Sequence, residues 1–447
     1  MNDLESQIAE WRTYVAARPA VNGHDVDELE AHLRDQIADL DAVGLDGDEA
    51  FLVAVKRMGD LDTLSREFAR EHSARLWKQL VLDGDDESER QASGWVAALV
   101  FAIAAALVIQ AARLIAGFPD DGPAWFARNL SLFVLPFLAA YFAYRRRLRT
   151  PQWLVMVAPF VTAALVVNLY PFSADADTEV LVALHLPVAL WFVVAYPYMS
   201  GAVRAHERRM DFVRFTGEWF IYYVLIALGG GVLVGLTGLI LEPIDADLPE
   251  QVASWVLPSG AAGAVIVAAW LVEAKQQVVE NMAPVLTMVF TPLFAVMLPV
   301  AAGTYAVFGL GDAFDRELLG VFDAVLVVVL GLALYAMSAR PATRPPGVMD
   351  RIQLLTVASA LVLDLMVLGA MVARIGDLGF TPNRAATLGL NVVLLVNLSG
   401  TAWLLWQFIS KRLTFHRVER WQTTYLPVFA VWAAIVVVAI PPAFGFD

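Results

Sequence analysis

Asp364 is the residue of this chain whose chemistry most needs a partner. It stands in Leu361-Val362-Leu363-Asp364-Leu365-Met366-Val367-Leu368, apolar on both sides. A carboxyl group at the centre of such a run costs about 2.5–3.5 kcal/mol to insert in a bilayer, so a packed interior or a water-filled cavity must receive it. Asn397 lies in the next apolar run. Taking the intervening loop as 374–385, Asp364 is ten residues before it and Asn397 twelve after it. At helical rise both sit about 15–18 Å below one surface. The pair is therefore expected to be close, with Asn397 the first neutral partner of Asp364. Two chemistries fit. One is proton or cation binding at the midplane, as in secondary transporters. The other is a polar clamp between two helices, worth about 0.6 kcal/mol on average.

The loop between these runs reads Arg374-Ile375-Gly376-Asp377-Leu378-Gly379-Phe380-Thr381-Pro382-Asn383-Arg384. Its glycines permit tight backbone, and its guanidinium groups suit phosphate or carboxylate. Arg374, Arg384 and Asn383 are a candidate anion site on the outer face. The alternative is that the arginines pair with Asp377 and the acidic loops and hold the hairpin together. No residue reads as catalytic and none as a metal ligand. His24, His32 and His72 are too far apart for a metal site, and His32 has no partner at ligand spacing. There is no cysteine, which excludes disulfides and thiolate chemistry. A P-loop, an H-E-x-x-H and a G-x-S-x-G are all absent.

The elements that must position these residues are membrane helices. Apolar segments lie near 94–117, 125–144, 152–170, 178–201, 219–241, 252–272, 284–309, 320–338, 352–373, 386–409 and 423–441. Each is long enough to cross about 30 Å of hydrocarbon at helical rise. A lipid-exposed segment satisfies its own backbone only as a helix, since the strand alternation of a membrane barrel is missing. The expected fold is all-α, a polytopic bundle of about eleven transmembrane helices over 94–441. Within it, Gly231 and Gly235 form a G-x-x-x-G pair suited to close helix contact. Pro284, Pro292 and Pro299 suggest kinks in the seventh segment. His185 reads as a packing residue, and Arg113 and Arg128 as interfacial side chains that reach for the surface.

Charge gives the orientation. The even-numbered connections hold sixteen Lys and Arg residues, among them Arg145–Arg147, Arg204, Arg208, Arg340 and Arg417. The odd ones hold Arg316, Arg374 and Arg384 only, and are acidic instead. By the positive-inside rule the N-terminus is cytoplasmic and the tail ending at Asp447 is outside. The chain is expected as a multi-pass protein of the cell (inner or plasma) membrane. Met1–Glu10 is polar and acidic, not a signal peptide, so the first membrane segment should serve as the insertion signal. The composition is 59% hydrophobic with 13 tryptophans. The net charge of −14 does not argue for nucleic acid, and no nucleic-acid partner is expected.

Residues 1–82 read as a small cytoplasmic helical domain, and 83–93 as an acidic flexible linker. Leu4, Ile8, Trp11 and Val15 recur at helical spacing, ending at Pro19. Asp25 with Glu28 makes a capping box for a second helix lined by Val26, Leu29, Leu33, Ile37 and Leu40. A third helix carries Phe51, Leu52, Val55 and Met58. A fourth starts at Asp60 or Asp62 with Leu64 and Phe68 facing in. The blocks Asp27-Glu28-Leu29-Glu30-Ala31-His32-Leu33-Arg34-Asp35, Gly44-Leu45 and Met58-Gly59-Asp60, followed by Leu64 and Glu67-Phe68, resemble the permease prefix (HAAS-type) domain. That domain precedes the membrane regions of bacterial permeases and of signalling proteins. The resemblance covers about residues 1–72 and implies a sensory or interaction module, hence a cytoplasmic protein partner.

The Arg374–Arg384 string is similar to a signature, R-I-x-x-x-G-[LF]-T-x-N-R, of an uncharacterised family of multi-helix bacterial membrane proteins. Members commonly place Tyr after the final Arg, where this chain has Ala385, so no role for that ring carries over. The family implies no activity. Three functions fit the sequence. The first is a regulatory or sensory membrane protein. The second is a permease or secondary transporter of a small solute, with Asp364 near its path. The third is a membrane enzyme on lipid-linked substrate. A non-enzymatic role is favoured, no cofactor is implied, and the oligomeric state is open.

Overall fold

The computed structural model describes residues 3–16, 23–42, 45–58, 84–116, 124–241, 247–274, 282–308 and 316–447. These contain fifteen helices and no strand. The chain divides between Ser93 and Gly94 into two compact units.

The first unit contains α1 (Asp3–Ala16), α2 (Gly23–Asp41) and α3 (Gly47–Met58). Their apolar stripes meet as Ile8 and Trp11, then Val26, Leu33, Ile37 and Leu40, then Ala50, Phe51, Ala54 and Val55. Trp11, Leu33 and Phe51 are fully enclosed, each contributing about 1.5–3 kcal/mol of burial. Asp46 caps α3 by accepting from Asp48 N and Glu49 N at 3.1 and 2.9 Å. Arg34 on α2 clamps α1 through both carboxylate oxygens of Glu5, at 2.7 and 2.8 Å. It also holds Glu30 on its own helix at 3.0 Å, and Arg12 pairs with Glu30 from α1. These bonds hold Glu5 and Glu30 below the ordinary glutamate range, through Arg34 for Glu5 and chiefly Arg12 for Glu30. α2 starts at Gly23, so Asp25 lies within its first turn and not at the cap. The expected fourth helix, with Leu64 and Phe68, lies outside the described residues.

The expected linker is different. Residues 84–93 are helical and continue without a break into the first membrane span as α4 (Gly84–Ala116).

The membrane unit has eleven helices long and apolar enough to cross a bilayer. After α4 these are α5 (Ala124–Arg145), α6 (Thr150–Leu169), α7 (Asp177–Tyr198), α8 (His206–Leu241) and α9 (Leu248–Ala274). Then follow α10 (Met282–Phe308), α11 (Arg316–Ala339), α12 (Val348–Leu378), α13 (Pro382–Ile409) and α14 (His416–Val438), with a short α15 (Ile440–Ala443) at the end. The protein is a multi-pass membrane protein. Every expected segment coincides with one of these helices. Several helices run further than the apolar run, α8 from His206 and α14 from His416, because a helix continues past the hydrocarbon while its residues remain good helix formers.

Buried side chains form two main membrane clusters. One joins Ala102 of α4, Leu138 of α5, Phe160 of α6, Leu186 of α7, Phe215 of α8 and Ile266 of α9. The other joins Leu298, Leu326, Val357, Leu363, Leu398 and Val418, from α10 through α14. Between them α7 and α8 pack on α11, α13 and α14. Leu181 meets Ala386, Val436 and Ile440, and Met210 and Val213 meet Leu426. Gly217 of α8 is essential to this seam: a Cβ there would overlap the ring of Tyr335 on α11. The G-x-x-x-G pair is not used in that way. A Cβ on Gly231 or Gly235 would meet nothing within 4 Å. Close contact comes instead where a large ring faces a glycine, as Trp432 faces Gly389. Pro292 and Pro299 lie inside a helix continuous over Met282–Phe308.

The arginine-bearing connections gather at one end. Arg146 Nη2 donates to Glu273 at 2.9 Å, and Arg214 donates to the Ser338 carbonyl. Arg209 Nη1 reaches the Thr423 carbonyl at 2.8 Å. Arg340 pairs with Asp350 at 2.7 Å and lies over Phe408 and Phe415, 4.7 and 4.3 Å from their centroids. At the opposite, acidic end the last residues fold onto the α6–α7 loop. Phe446 O accepts from Ser173 N and Asp447 O from Thr178 N, both at 3.1 Å.

Candidate functional site

On α12 the buried positions Val357, Ala360, Leu363, Val367 and Met371 recur at helical spacing. Asp364 falls within that stripe and is 0% exposed. It therefore points into the bundle, among α10, α11 and α13, and not at lipid. Neither of its carboxylate oxygens has a hydrogen-bond partner in the protein. A buried polar group left so costs about 1–3 kcal/mol, more if charged. Evolution retains few such groups without a use.

Asn397 is also 0% exposed, but it is not the partner of Asp364. Its Nδ2 donates to Gln422 Oε1 on α14 at 3.1 Å. Gln422 Nε2 donates to Thr401 Oγ1 at 2.6 Å, and Thr401 donates to the Asn397 carbonyl at 2.7 Å. Trp421 Nε1 donates to the same carbonyl at 3.2 Å. Asn397 thus closes a polar clamp between α13 and α14. Equal depth holds for Asp364 and Asn397, but the two side chains serve different neighbours. Sequence reasoning missed Gln422 and Thr401. The available signal was Asn397 and Thr401 at i, i+4 on one helix face.

A second carboxylate lies near the outer end of the eighth membrane segment. Asp323 on α11 accepts from Asn391 Nδ2 of α13 at 2.8 Å, and the Thr387 hydroxyl also bonds it. Asn391 is 0% exposed and donates in addition to the Thr387 carbonyl at 3.0 Å. The sequence placed Asp323 near a helix end, where an acidic residue attracts no notice.

The Arg374–Arg384 string is a helix–loop–helix turn. α12 ends at Leu378, and Gly379 takes a left-handed φ of 82° that glycine alone adopts without strain. Thr381 caps α13, with Pro382 in its first turn. Arg384 Nη1 donates to the Gly379 carbonyl at 2.6 Å, closing the loop on itself. Arg374 and Arg384 both have partners within the protein. Asn383 sits in the first turn of α13, half-buried.

Several other membrane-embedded polar groups have partners, while the Thr291 and Tyr335 hydroxyls and the Trp432 indole N–H are buried without one. His185 Nδ1 bonds the Leu181 carbonyl of its own helix at 2.9 Å. Arg128 makes an enclosed ion pair with Glu179 at 2.6 Å and lies 5.0 Å from the centroid of Phe172. Asn129 and Asn168 exchange amide bonds at 2.8 Å. No family model, curated protein or solved structure matches this chain. The two resemblances rest on the quoted residues alone.

Proposed function

We propose that this protein is a secondary transporter of a small solute, in which Asp364 binds and releases the coupling ion. The observation that carries this reading is the state of Asp364: mid-span, fully buried and without a hydrogen-bond partner. The clamp reading needs a neutral partner for Asp364, and Asn397 is committed to Gln422, Thr401 and Trp421. An ion-binding role needs a carboxylate that is not already occupied. The bundle lies in the inner or plasma membrane with its arginine-rich end cytoplasmic, a reading supported by the sixteen-to-three bias of Lys and Arg.

Uptake by proteoliposomes tests the reading. Full-length protein is screened against panels of labelled amino acids, sugars and organic acids. Asp364→Asn should abolish any uptake found, whereas Gln422→Ala should retain it. Uptake that persists in Asp364→Asn would overturn the assignment. Reporter fusions test orientation: one after Asp447 should read outside and one after Arg149 cytoplasm. A cytoplasmic reading after Asp447 would require a different helix count.

The N-terminal unit supports an additional regulatory role. It has its own core and its own interhelical clamp at Arg34, so it can act as a docking module for a cytoplasmic protein. Deletion of residues 1–82 should leave insertion intact and alter the control of transport. Loss of insertion would point to a folding role instead.

A further inference from the structure

We propose that Arg128 and Glu179 form a recognition site for a small zwitterion, a solute that carries both a carboxylate and an ammonium group. This deepens the transport reading by naming the class of solute, and binding tests it apart from uptake.

The ion pair itself is the first observation. Arg128 lies in the second turn of α5 and Glu179 in the first turn of α7. They meet at 2.6 Å, with 14% and 10% of their side chains exposed. Desolvating two charges costs more than one such contact returns unless further hydrogen bonds fill the remaining N–H groups and lone pairs. Here the contact uses Arg128 Nη1 and Glu179 Oε1, while Arg128 Nε is enclosed without a partner. Other arginines of the bundle differ. Arg340 commits Nε and Nη2 to Asp350, and Arg214 commits both to the Ser338 carbonyl. Nε and Nη2 form a side of the guanidinium that takes a carboxylate through two parallel N–H bonds. Glu179 does not engage that side of Arg128.

The neighbours are the second observation. One turn along α5, Ser131 is 8% exposed and its hydroxyl also lacks a partner. Residues three apart on a helix are neighbours. Thr178, next to Glu179 in the chain, is fully buried and its hydroxyl is a third such group. Buried polar groups without partners are few in native proteins, and three lie within one turn of this ion pair.

The surroundings hold Arg128 in place. The Phe172 ring lies 5.0 Å from the guanidinium carbon and covers its face, not its edge. Phe172 is packed by Tyr170 and Phe446, with centroids at 5.8 and 6.3 Å, and the Tyr170 hydroxyl donates to the Val438 carbonyl at 2.7 Å. Beside Arg128, Asn129 and Asn168 exchange amide bonds at 2.8 Å and fix α5 on α6. A guanidinium oriented in advance lowers the ordering cost of binding.

Charge selects the solute. Arg128 and Glu179 neutralise each other, so a carboxylate alone, or an ammonium alone, would add an uncompensated charge to an enclosed site. A zwitterion adds one of each. Its carboxylate fits Arg128 Nε and Nη2 with the Ser131 hydroxyl, and its ammonium fits Glu179 Oε2. Asp175 and Asp177 at the entry to α7 add negative charge, which opposes a bare anion such as phosphate and not a neutral zwitterion.

Equilibrium binding to the full-length protein in lipid nanodiscs tests the site. Radiolabelled glycine, L-alanine, L-leucine and L-serine are the probes. Propionate, ethylamine and inorganic phosphate are the competitors, none of which carries both charges. At least one probe should bind, and no competitor should displace it. Arg128→Lys keeps a charge beside Glu179 but not the paired N–H edge; affinity should fall about tenfold or more with the melting temperature unchanged. Ser131→Ala should weaken binding about fivefold. Glu179→Gln should allow propionate to compete. A wild-type protein that binds none of the probes would overturn the inference, as would displacement by propionate or phosphate. Full affinity in Arg128→Lys would do the same. If Arg128→Lys does not fold, Glu179→Gln decides alone, and propionate that still fails to compete there overturns the assignment. The transport reading fails separately: amino-acid binding without any uptake removes transport and leaves the site. Asp364-dependent uptake of another solute, without amino-acid binding, keeps transport and removes the site.

Discussion

The side-chain amide of Asn391 donates to the carboxylate of Asp323 across 2.8 Å, joining α13 to α11. The bond is made by a fully buried donor. Inside a membrane bundle such a bond is worth about 0.6 kcal/mol on average and at most about 1.7. Asn391→Ala should therefore lower stability by that order in a detergent-melting experiment. A variant as stable as wild type would mean that the bond is dispensable.

Asp364→Leu separates fold from function. The carboxyl makes no hydrogen bond that a leucine would forfeit, and leucine of similar size buries more apolar surface. Its melting temperature should equal or exceed that of wild type while uptake is lost. A loss of about 3 kcal/mol or more, the signature of breaking a buried ionic partnership, would contradict an unpartnered Asp364.

Gly217 and Tyr335 should behave as a size-complementary pair. Gly217→Val places atoms where the Tyr335 ring lies, and overpacking of this kind costs about 1–3 kcal/mol. Tyr335→Ala should partly restore the melting temperature of Gly217→Val. Additive losses in the double variant would show that the seam tolerates the bulk elsewhere.

The N-terminal unit should lose stability in acid. Glu5 and Glu30 are held below the ordinary glutamate range by their arginine bonds. Depressed carboxylates contribute stability that is present above the unfolded value, about pH 4.3, and is lost as pH falls through the folded values. Residues 1–82 expressed alone should be soluble and mainly helical by circular dichroism. Their helix signal should fall below that pH, and Arg34→Gln should flatten the dependence. The effect is modest because the pairs are solvent-exposed. A strand-rich spectrum would remove the prefix-domain resemblance.

The sequence by itself determined the class of fold and the number of spans. Hydropathy is a local property, so every apolar run became a helix, and the depth of Asp364 could be counted from the nearest loop. The turn at Gly379, Thr381 and Pro382 was equally local, since caps and proline act within a few residues. Tertiary structure alone decided which neighbour each side chain meets. Asn397 shares the depth of Asp364 yet turns to Gln422, which lies on α14 and beyond the next loop. Asp323 meets Asn391 only because α11 and α13 pack together. The G-x-x-x-G pair in α8 has the spacing for close contact, but helix rotation leaves Gly231 and Gly235 open while Gly217 takes the ring of Tyr335. Rise along a helix axis follows from residue number. Rotation about that axis is set by the combined packing of segments far apart in the chain.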